Sequence, residues 1–326
     1  MTGRFSVTVC TSADEERMLA VQEIVRGLTA EPKTLSPKFL YHEEGSGLFD
    51  EITHLEEYYP TRIERSLLDG FGAGIVHDVQ PHEIVELGPG NSAKSGTLLG
   101  PALQTGTLKR YIPFDISESA VREGARALFD MYPDLGEIAA VVGDFERHLP
   151  AIPDPQGTRL IAFLGSTIGN LHPAERSRFL EEVRALMPRT EDALLVGADL
   201  VKDTRIIEAA YNDARGITAL FNLNSLKAVN DLLGTEIDIS LFRHYAFFNA
   251  EHSRIEMHLQ AEADVAFTLP ATGDVVRVQA GETIWTESSY KFTRDSFAGA
   301  LHDAGFGNVR WFTDPDEMFA LVLARP

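Results

Sequence analysis

Five short apolar runs constrain the fold of this chain more than anything else in it. Ile84-Val85-Glu86-Leu87 stops at Gly88-Pro89-Gly90, and Tyr111-Ile112-Pro113-Phe114 stops at Asp115. Residues 139–142 run into Gly143-Asp144-Phe145, residues 159–164 into Gly165-Ser166-Thr167, and residues 193–198 into Asp199. Each has the length of a strand buried on both faces, and helical patterns at 118–131 and 173–187 lie between them. Such a strand–helix–strand rhythm needs crossover connections, so the strands are parallel and helices cover both faces of the sheet. Ligands of open parallel sheets bind beyond the carboxyl ends of the strands, which is where these glycines and acids fall.

Outside that rhythm the pattern changes. Met18, Leu19, Val21, Ile24, Val25 and Leu28 recur at helical spacing over 14–28. Residues 34–60 are mixed and aromatic, and Thr61 with Glu64 reads as a capping box opening the next helix. Residues 202–234 read as helical, Tyr211 included. Residues 254–259, 264–269, 275–278 and 283–288 read as strands, with a turn at Ala271-Thr272-Gly273-Asp274. A helix over 293–304 and strands over 309–313 and 319–324 close the chain, the last two as an antiparallel edge on the parallel sheet. The expected class is α/β: a doubly wound sheet built from 62–200 plus 292–326, and a second, discontinuous α+β domain from 1–61 plus 201–291.

A net charge of −20 argues against nucleic acid or an anionic membrane as partner, since both need a basic face. The single Cys10 excludes an intramolecular disulfide, and the ten histidines show no metal-ligand spacing. No apolar run approaches the ~20 residues of a membrane span. The first residues hold no cationic stretch leading into an apolar one, so no secretory leader is expected. The expectation is a cytoplasmic monomer that binds a small molecule.

Gly88-Pro89-Gly90-Asn91-Ser92-Ala93 admits three readings. It fits the dinucleotide fingerprint in its G-x-G-x-x-A form. Continued by Lys94 and Ser95, it nearly fits a phosphate-binding loop. It also fits the acidic-x-Gly-x-Gly loop of adenosylmethionine-dependent methyltransferases. Glu86, just ahead of the loop, favours the third, because a carboxylate repels phosphate and attracts a sulfonium or an amino group. Asp115 suits a pair of ribose hydroxyls, which supports a nucleoside without choosing among the three. Asp144 suits an adenine amino group and Phe145 the face of the ring.

Longer segments carry a resemblance. Gly45-Ser46-Gly47-Leu48-Phe49-Asp50, Glu57-Tyr58-Tyr59-Pro60-Thr61-Arg62, Gly143-Asp144-Phe145-Glu146, residues 163–170, Asp199-Leu200-Val201-Lys202-Asp203 and Arg254-Ile255-Glu256-Met257 follow in order along nearly the whole chain. On these the chain resembles the histidine-specific Nα-methyltransferases of ergothioneine biosynthesis. The resemblance implies a Rossmann-like methyltransferase sheet with a separate substrate domain. It implies S-adenosyl-L-methionine as methyl donor, S-adenosylhomocysteine as product, and three transfers to the α-amino group of free L-histidine, giving hercynine. Donor contacts are implied at Gly88, Lys94, Asp115, Asp144 and Phe145. Histidine contacts are implied at Tyr58, Asn170, Tyr211, Glu287 and Ser289, with Tyr41, Gly165 and Met257 lining the same pocket, and no metal. The chain departs from the family pattern at Pro89, where the loop often has Ser, and at Tyr290, which is large enough to narrow the pocket.

These residue types suit that chemistry. Methyl transfer is an in-line displacement, so alignment of a neutral amine supplies much of the acceleration. Repeated transfer favours aromatic and hydroxyl walls, such as Tyr41 and Tyr58, over a fixed salt bridge to the amine. Asn170 and Tyr211 are neutral donors for a carboxylate. Glu287 and Ser289, two apart, share a strand face and together accept from and donate to the two nitrogens of an imidazole. The alternatives are a relative acting on another aromatic amino acid or amine, against which Glu287 argues, and a non-catalytic module that binds the donor.

Overall fold

A computed structural model of the chain describes residues 4–42, 44–90 and 94–326. Asn91, Ser92 and Ala93 of the glycine loop lie outside the described residues. The chain begins with β1 (Arg4–Val9), α1 (Ala13–Thr29), α2 (Gly45–Thr53) and α3 (Tyr59–Val79). There follow β2 (Glu83–Leu87), α4 (Gly96–Gln104), β3 (Arg110–Asp115), α5 (Glu118–Met131), β4 (Glu137–Val142) and α6 (Phe145–His148). Then come β5 (Arg159–Phe163), α7 (Pro173–Ala185), β6 (Ala193–Asp199), α8 (Thr204–Ala209) and α9 (Ile217–Leu233). The strands β7 (Phe242–Asn249), β8 (Arg254–Ala261), β9 (Val265–Thr268), β10 (Val275–Val278) and β11 (Thr283–Tyr290) precede α10 (Arg294–Asp303), β12 (Asn308–Thr313) and β13 (Phe319–Arg325).

Two compact units result: Met1–Thr11, Pro60–Val201 and Phe292–Pro326 form one, Ser12–Tyr59 and Lys202–Lys291 the other. The first holds an eight-stranded sheet of order β1-β4-β3-β2-β5-β6-β13-β12. Its first six strands are parallel; β13 pairs antiparallel with β6, and β12 antiparallel with β13. Strand β5 shows why both faces need helices. Leu160 and Ala162 join a core with α3, α4 and α5 residues, whereas Phe163 packs on Phe179 of α7, ring centroids 4.7 Å apart. Strand order reverses between β2 and β5, so the loops after Leu87 and Phe163, which are register partners, leave the sheet side by side.

Strand β1 corrects the sequence-based grouping of 1–61 with the second domain. It pairs in parallel with β4 from Arg4↔Glu137 to Val9↔Val142. It is an edge strand: Phe5 and Val9 are exposed, and Val7 packs on the Val121, Ala140 and Val142 cluster.

In the second unit, β11-β8-β7 form an antiparallel sheet and β9-β10 a hairpin. Ile24 and Leu28 of α1, Leu226 and Val229 of α9, and Phe242, Leu259 and Ile284 of the sheet share one core. Strand β7 has no sequence expectation; its aromatic and polar residues do not alternate, and pairing with β8 defines it. The stretch 202–234 is two helices rather than one. Tyr211 lies just past the end of α8, outside any helix. Among the described residues no helix is long and apolar enough to cross a membrane.

Candidate functional site

The first unit gathers seven of the sequence-derived residues at the carboxyl edge of its sheet. After β2 the chain turns through Gly88 and Gly90, with φ of +68° and +54°, a region that L side chains avoid. Among the described residues, none comes within 4 Å of where a Cβ would stand at either glycine. Asp115 ends β3 and holds this loop: its Oδ2 accepts from the Gly90 N–H at 3.1 Å and its Oδ1 from the Ser117 N–H at 3.0 Å. Burial raises its pKa, and those backbone bonds oppose the rise. Asp144 ends the loop after β4 and accepts from the Glu146 N–H at 2.9 Å. Phe145 meets Phe163 edge-on at 5.4 Å, which fixes its ring beside the sheet edge. Two carboxylates, an aromatic face and an open glycine turn on adjacent strand ends fit an adenosine-bearing donor.

Glu86 does not play the part the charge argument gave it. It is 3% exposed, and its carboxylate accepts from the Tyr111 hydroxyl at 2.7 Å. Burial raises its pKa, against hydrogen bonds from Ser95 and Tyr111 and the charge of Lys94.

Lys94 and the loop after β5 meet through a residue the sequence assigned elsewhere. Glu64, fully buried, accepts from the Lys94 ammonium and from the Gly165 N–H at 2.6 Å. It is therefore no capping-box partner of Thr61; α3 begins at Tyr59, and Thr61 lies within it. Nothing local in the sequence marks Glu64, because both partners are distant along the chain. One trace of it is Gly197 in β6, where a Cβ would fall 2.0 Å from Glu64 Oε1. The Gly165 loop is tightly turned. Gly165 and Ser166 have φ of +80° and +57°, and the Ser166 hydroxyl accepts from the Asp199 N–H at 3.0 Å. Asn170 follows in a 3-10 turn, Thr167–Asn170. The helix after it is capped at His172, so Asn170 is not its cap.

The second unit gathers the other six. Tyr41 meets Phe49 at 5.4 Å, Phe49 meets Tyr58 at 6.2 Å, and Tyr58 meets Tyr211 at 6.4 Å, all edge-on. Tyr211 donates to Ser289 Oγ at 2.8 Å. The two hydroxyls, expected to serve different ends of the substrate, are thus in direct contact. Burial raises the Tyr41 hydroxyl, and the charge of Glu287 adds to that, so Tyr41 and Glu287 share one environment. Met257, 1% exposed, is the register partner of Glu287. Tyr290 does not narrow this cluster. It pairs in register with Arg254, whose guanidinium donates to its hydroxyl, on the opposite face of β11 from Ser289.

Three further residues support this cluster. Asn224 donates to the carbonyls of Leu40 and His42, which flank Tyr41, at 2.9 and 2.6 Å. Gly45 leaves room for that clamp, since a Cβ there would lie 2.7 Å from the Asn224 amide. His244 donates from Nε2 to the Tyr211 carbonyl at 2.8 Å, while its Nδ1 accepts from Asn222 at 2.9 Å. Burial lowers the His244 pKa, which keeps that tautomer neutral. Lys291, 3% exposed, donates to Ser289 Oγ at 2.8 Å and Tyr211 Oη at 3.1 Å. Its signal was present in the sequence: it continues the two-residue period of Glu287 and Ser289.

One prediction arises from the donor-side geometry. Asp115→Ala should weaken adenosylmethionine binding by about 1.5–3 kcal/mol, the range for hydrogen bonds to a charged acceptor. Calorimetry on the folded variant reads this directly; unchanged affinity would remove Asp115 from the donor site.

Comparison with known proteins agrees with this chemistry. A family model described as histidine-specific methyltransferase, SAM-dependent, matches residues 20–326. The chain is 43% identical over 313 residues to the histidine N-alpha-methyltransferase of Mycolicibacterium smegmatis, spanning 96% of this chain and 97% of that one. It is 41% identical over 321 residues to the protein of the same name from Mycobacterium tuberculosis, spanning 98% and 99%. Ergothioneine biosynthesis protein 1 of Neurospora crassa is similar at 28% identity over 90% of this chain and 33% of its own length.

Proposed function

This chain belongs to the histidine-specific, S-adenosylmethionine-dependent methyltransferase family, and we propose from that premise that it methylates the α-amino group of free L-histidine three times. The product is then the trimethylated betaine, hercynine, made for ergothioneine biosynthesis, the process named in the fungal relatives.

The observation that carries the substrate reading is the face of β11. Glu287 and Ser289 stand together with the Tyr211 hydroxyl and the ring of Tyr41. An acid and a hydroxyl side by side can accept from one ring nitrogen of histidine and donate to the other. Gly88, Asp115, Asp144 and Phe145 take the donor, which when bound supplies an electrophilic methyl group on a sulfonium. Lys94 and Gly165, both tied to Glu64, set the loop next to it. Asn170 offers its amide to the substrate carboxylate. Tyr41 and Tyr58 offer ring faces and hydroxyls to the ammonium that each transfer creates and the last makes permanent, without pairing it to a carboxylate. The amine needs only to shed a proton to water before each transfer.

Time-resolved mass spectrometry of histidine with the protein and excess adenosylmethionine tests this. The product should end at the mass of three added methyl groups, with the mono- and dimethyl species consumed. Turnover that stops at one methyl with donor in excess would rule out the trimethylation reading.

A further inference from the structure

Lys291 is a buried ammonium beside the two hydroxyls of the substrate cluster. It donates to Ser289 Oγ at 2.8 Å and to Tyr211 Oη at 3.1 Å, and Tyr211 in turn donates to Ser289. A hydroxyl oxygen accepts at two lone pairs and donates one proton. In this triangle both lone pairs of Ser289 are taken by N–H and O–H donors from protein. What Ser289 has left to offer is its proton. Glu287 lies two residues earlier on the same strand face, and as a carboxylate it only accepts.

We propose that Lys291 is a positioning residue that fixes the polarity of Ser289, so that Ser289 donates to one ring nitrogen while Glu287 accepts from the other. The inference rests on the reading of Glu287 and Ser289 as the imidazole-binding pair. Its consequence is selection of one form of the substrate. The ring must carry one N–H and one bare nitrogen, so it is bound neutral and in a single tautomer. Imidazolium, which has two N–H donors, meets a donor at Ser289 and is rejected. Without the ammonium, Ser289 regains a lone pair, its hydroxyl is free to turn, and the discrimination is lost.

The test uses Lys291→Met, Ser289→Ala and the double variant, with histidine as substrate and adenosylhomocysteine binding as the measure of an intact fold. Removing the ammonium leaves Glu287 without the charge that opposes its burial and costs stability, so adenosylhomocysteine binding is read first. Lys291→Met should raise KM for histidine roughly tenfold to hundredfold, the worth of a hydrogen bond to a charged group. Its kcat should stay within about threefold of wild type, because ring binding is shared by ground and transition states. In the double variant the loss should match that of Ser289→Ala alone, because Lys291 acts through that hydroxyl. Should Lys291→Met fail to bind adenosylhomocysteine, Lys291→Gln takes its place. It keeps N–H donors without the charge and should hold KM nearer to wild type than Ser289→Ala does. Unchanged KM, additive losses in the double variant, or kcat and adenosylhomocysteine affinity falling with KM would overturn the proposal. Wild-type protein that does not methylate histidine at all would instead overturn the substrate reading beneath it.

Discussion

Glu287→Gln should lower kcat/KM for histidine by roughly a hundredfold and, at pH 8, leave the folded protein more stable than wild type. Both effects have one cause. Burial pushes the Glu287 carboxyl up from 4.5 to about 7, against the opposing charge of Lys291. A folded-state pKa above the unfolded one means the native protein holds a proton that the unfolded chain has released. Stability therefore falls as pH rises from about 4.5 to about 7 and stays lower above that. A shift of that size corresponds to about 3 kcal/mol, which a neutral Gln removes in part. On the proposal that this charge reads the ring, histidine should suffer far more than tryptophan or phenylalanine. Wild-type kcat/KM should climb as pH rises through about 7, where the carboxylate forms. Urea unfolding at pH 5 and pH 8 and kcat/KM for the three amino acids check the prediction. A histidine-to-tryptophan ratio that does not move would remove Glu287 as the ring reader. A stability difference equal at both pH values would remove the charge as its cause.

Glu64→Ala should destabilise the protein by about 3–5 kcal/mol and abolish tight donor binding. The carboxylate is fully buried and holds both the Lys94 ammonium and the Gly165 N–H. Deleting it leaves the Lys94 ammonium, a quarter exposed, and the Gly165 N–H without their shared acceptor. Gly197→Ala gives an independent check, because its methyl would land 2.0 Å from Glu64 Oε1. Gly197→Ala should be damaging alone and much less so on top of Glu64→Ala, where the methyl enters space already vacated. Denaturant melts of the two single variants and the double variant measure the coupling. Simple additivity would mean that Glu64 and Gly197 do not meet in solution.

Both predictions rest on residues whose importance the local sequence conceals to different degrees. Asp115, Asp144 and Phe145 were legible because a strand and its terminating turn are local events. The apolar run, the glycine and the acid follow one another within a few residues, and the parallel sheet then puts every such end on one edge. Glu287 and Ser289 were legible as a pair for the same reason, since a two-residue step keeps one strand face. Strand β1 shows strand alternation in Phe5, Val7 and Val9, but its place beside β4 is a pairing between distant segments that no local pattern contains. Tyr211 was placed inside a helix because the break between α8 and α9 is set by Asp213, which accepts from the Ile217 and Thr218 N–H groups. Those contacts are short in sequence, but they mimic an ordinary polar helix surface.

The sequence by itself determined the α/β class, the parallel strands, the antiparallel edge and the placing of Asp115 and Asp144 at strand ends. Periodicity and turn chemistry are properties of neighbouring residues, and they survive without knowledge of the fold. The tertiary structure alone decided that Glu64 joins Lys94 to Gly165, that Glu86 turns to Tyr111, and that Lys291 holds Tyr211 and Ser289. A buried charge takes whichever partner removes its desolvation penalty, and that partner is chosen by packing rather than by spacing. The bulge in β11 makes the same point at the backbone. Ile284 faces the core opposite Leu259, and simple alternation would turn Glu287, three residues on, to the other face. An extra residue at Thr286, bonded to Asn222 Oδ1 at 2.6 Å, shifts the register so that Glu287 pairs with Met257 on the Leu259 side. No count along the chain contains that shift, because a bulge exists only with respect to the strand it is paired with.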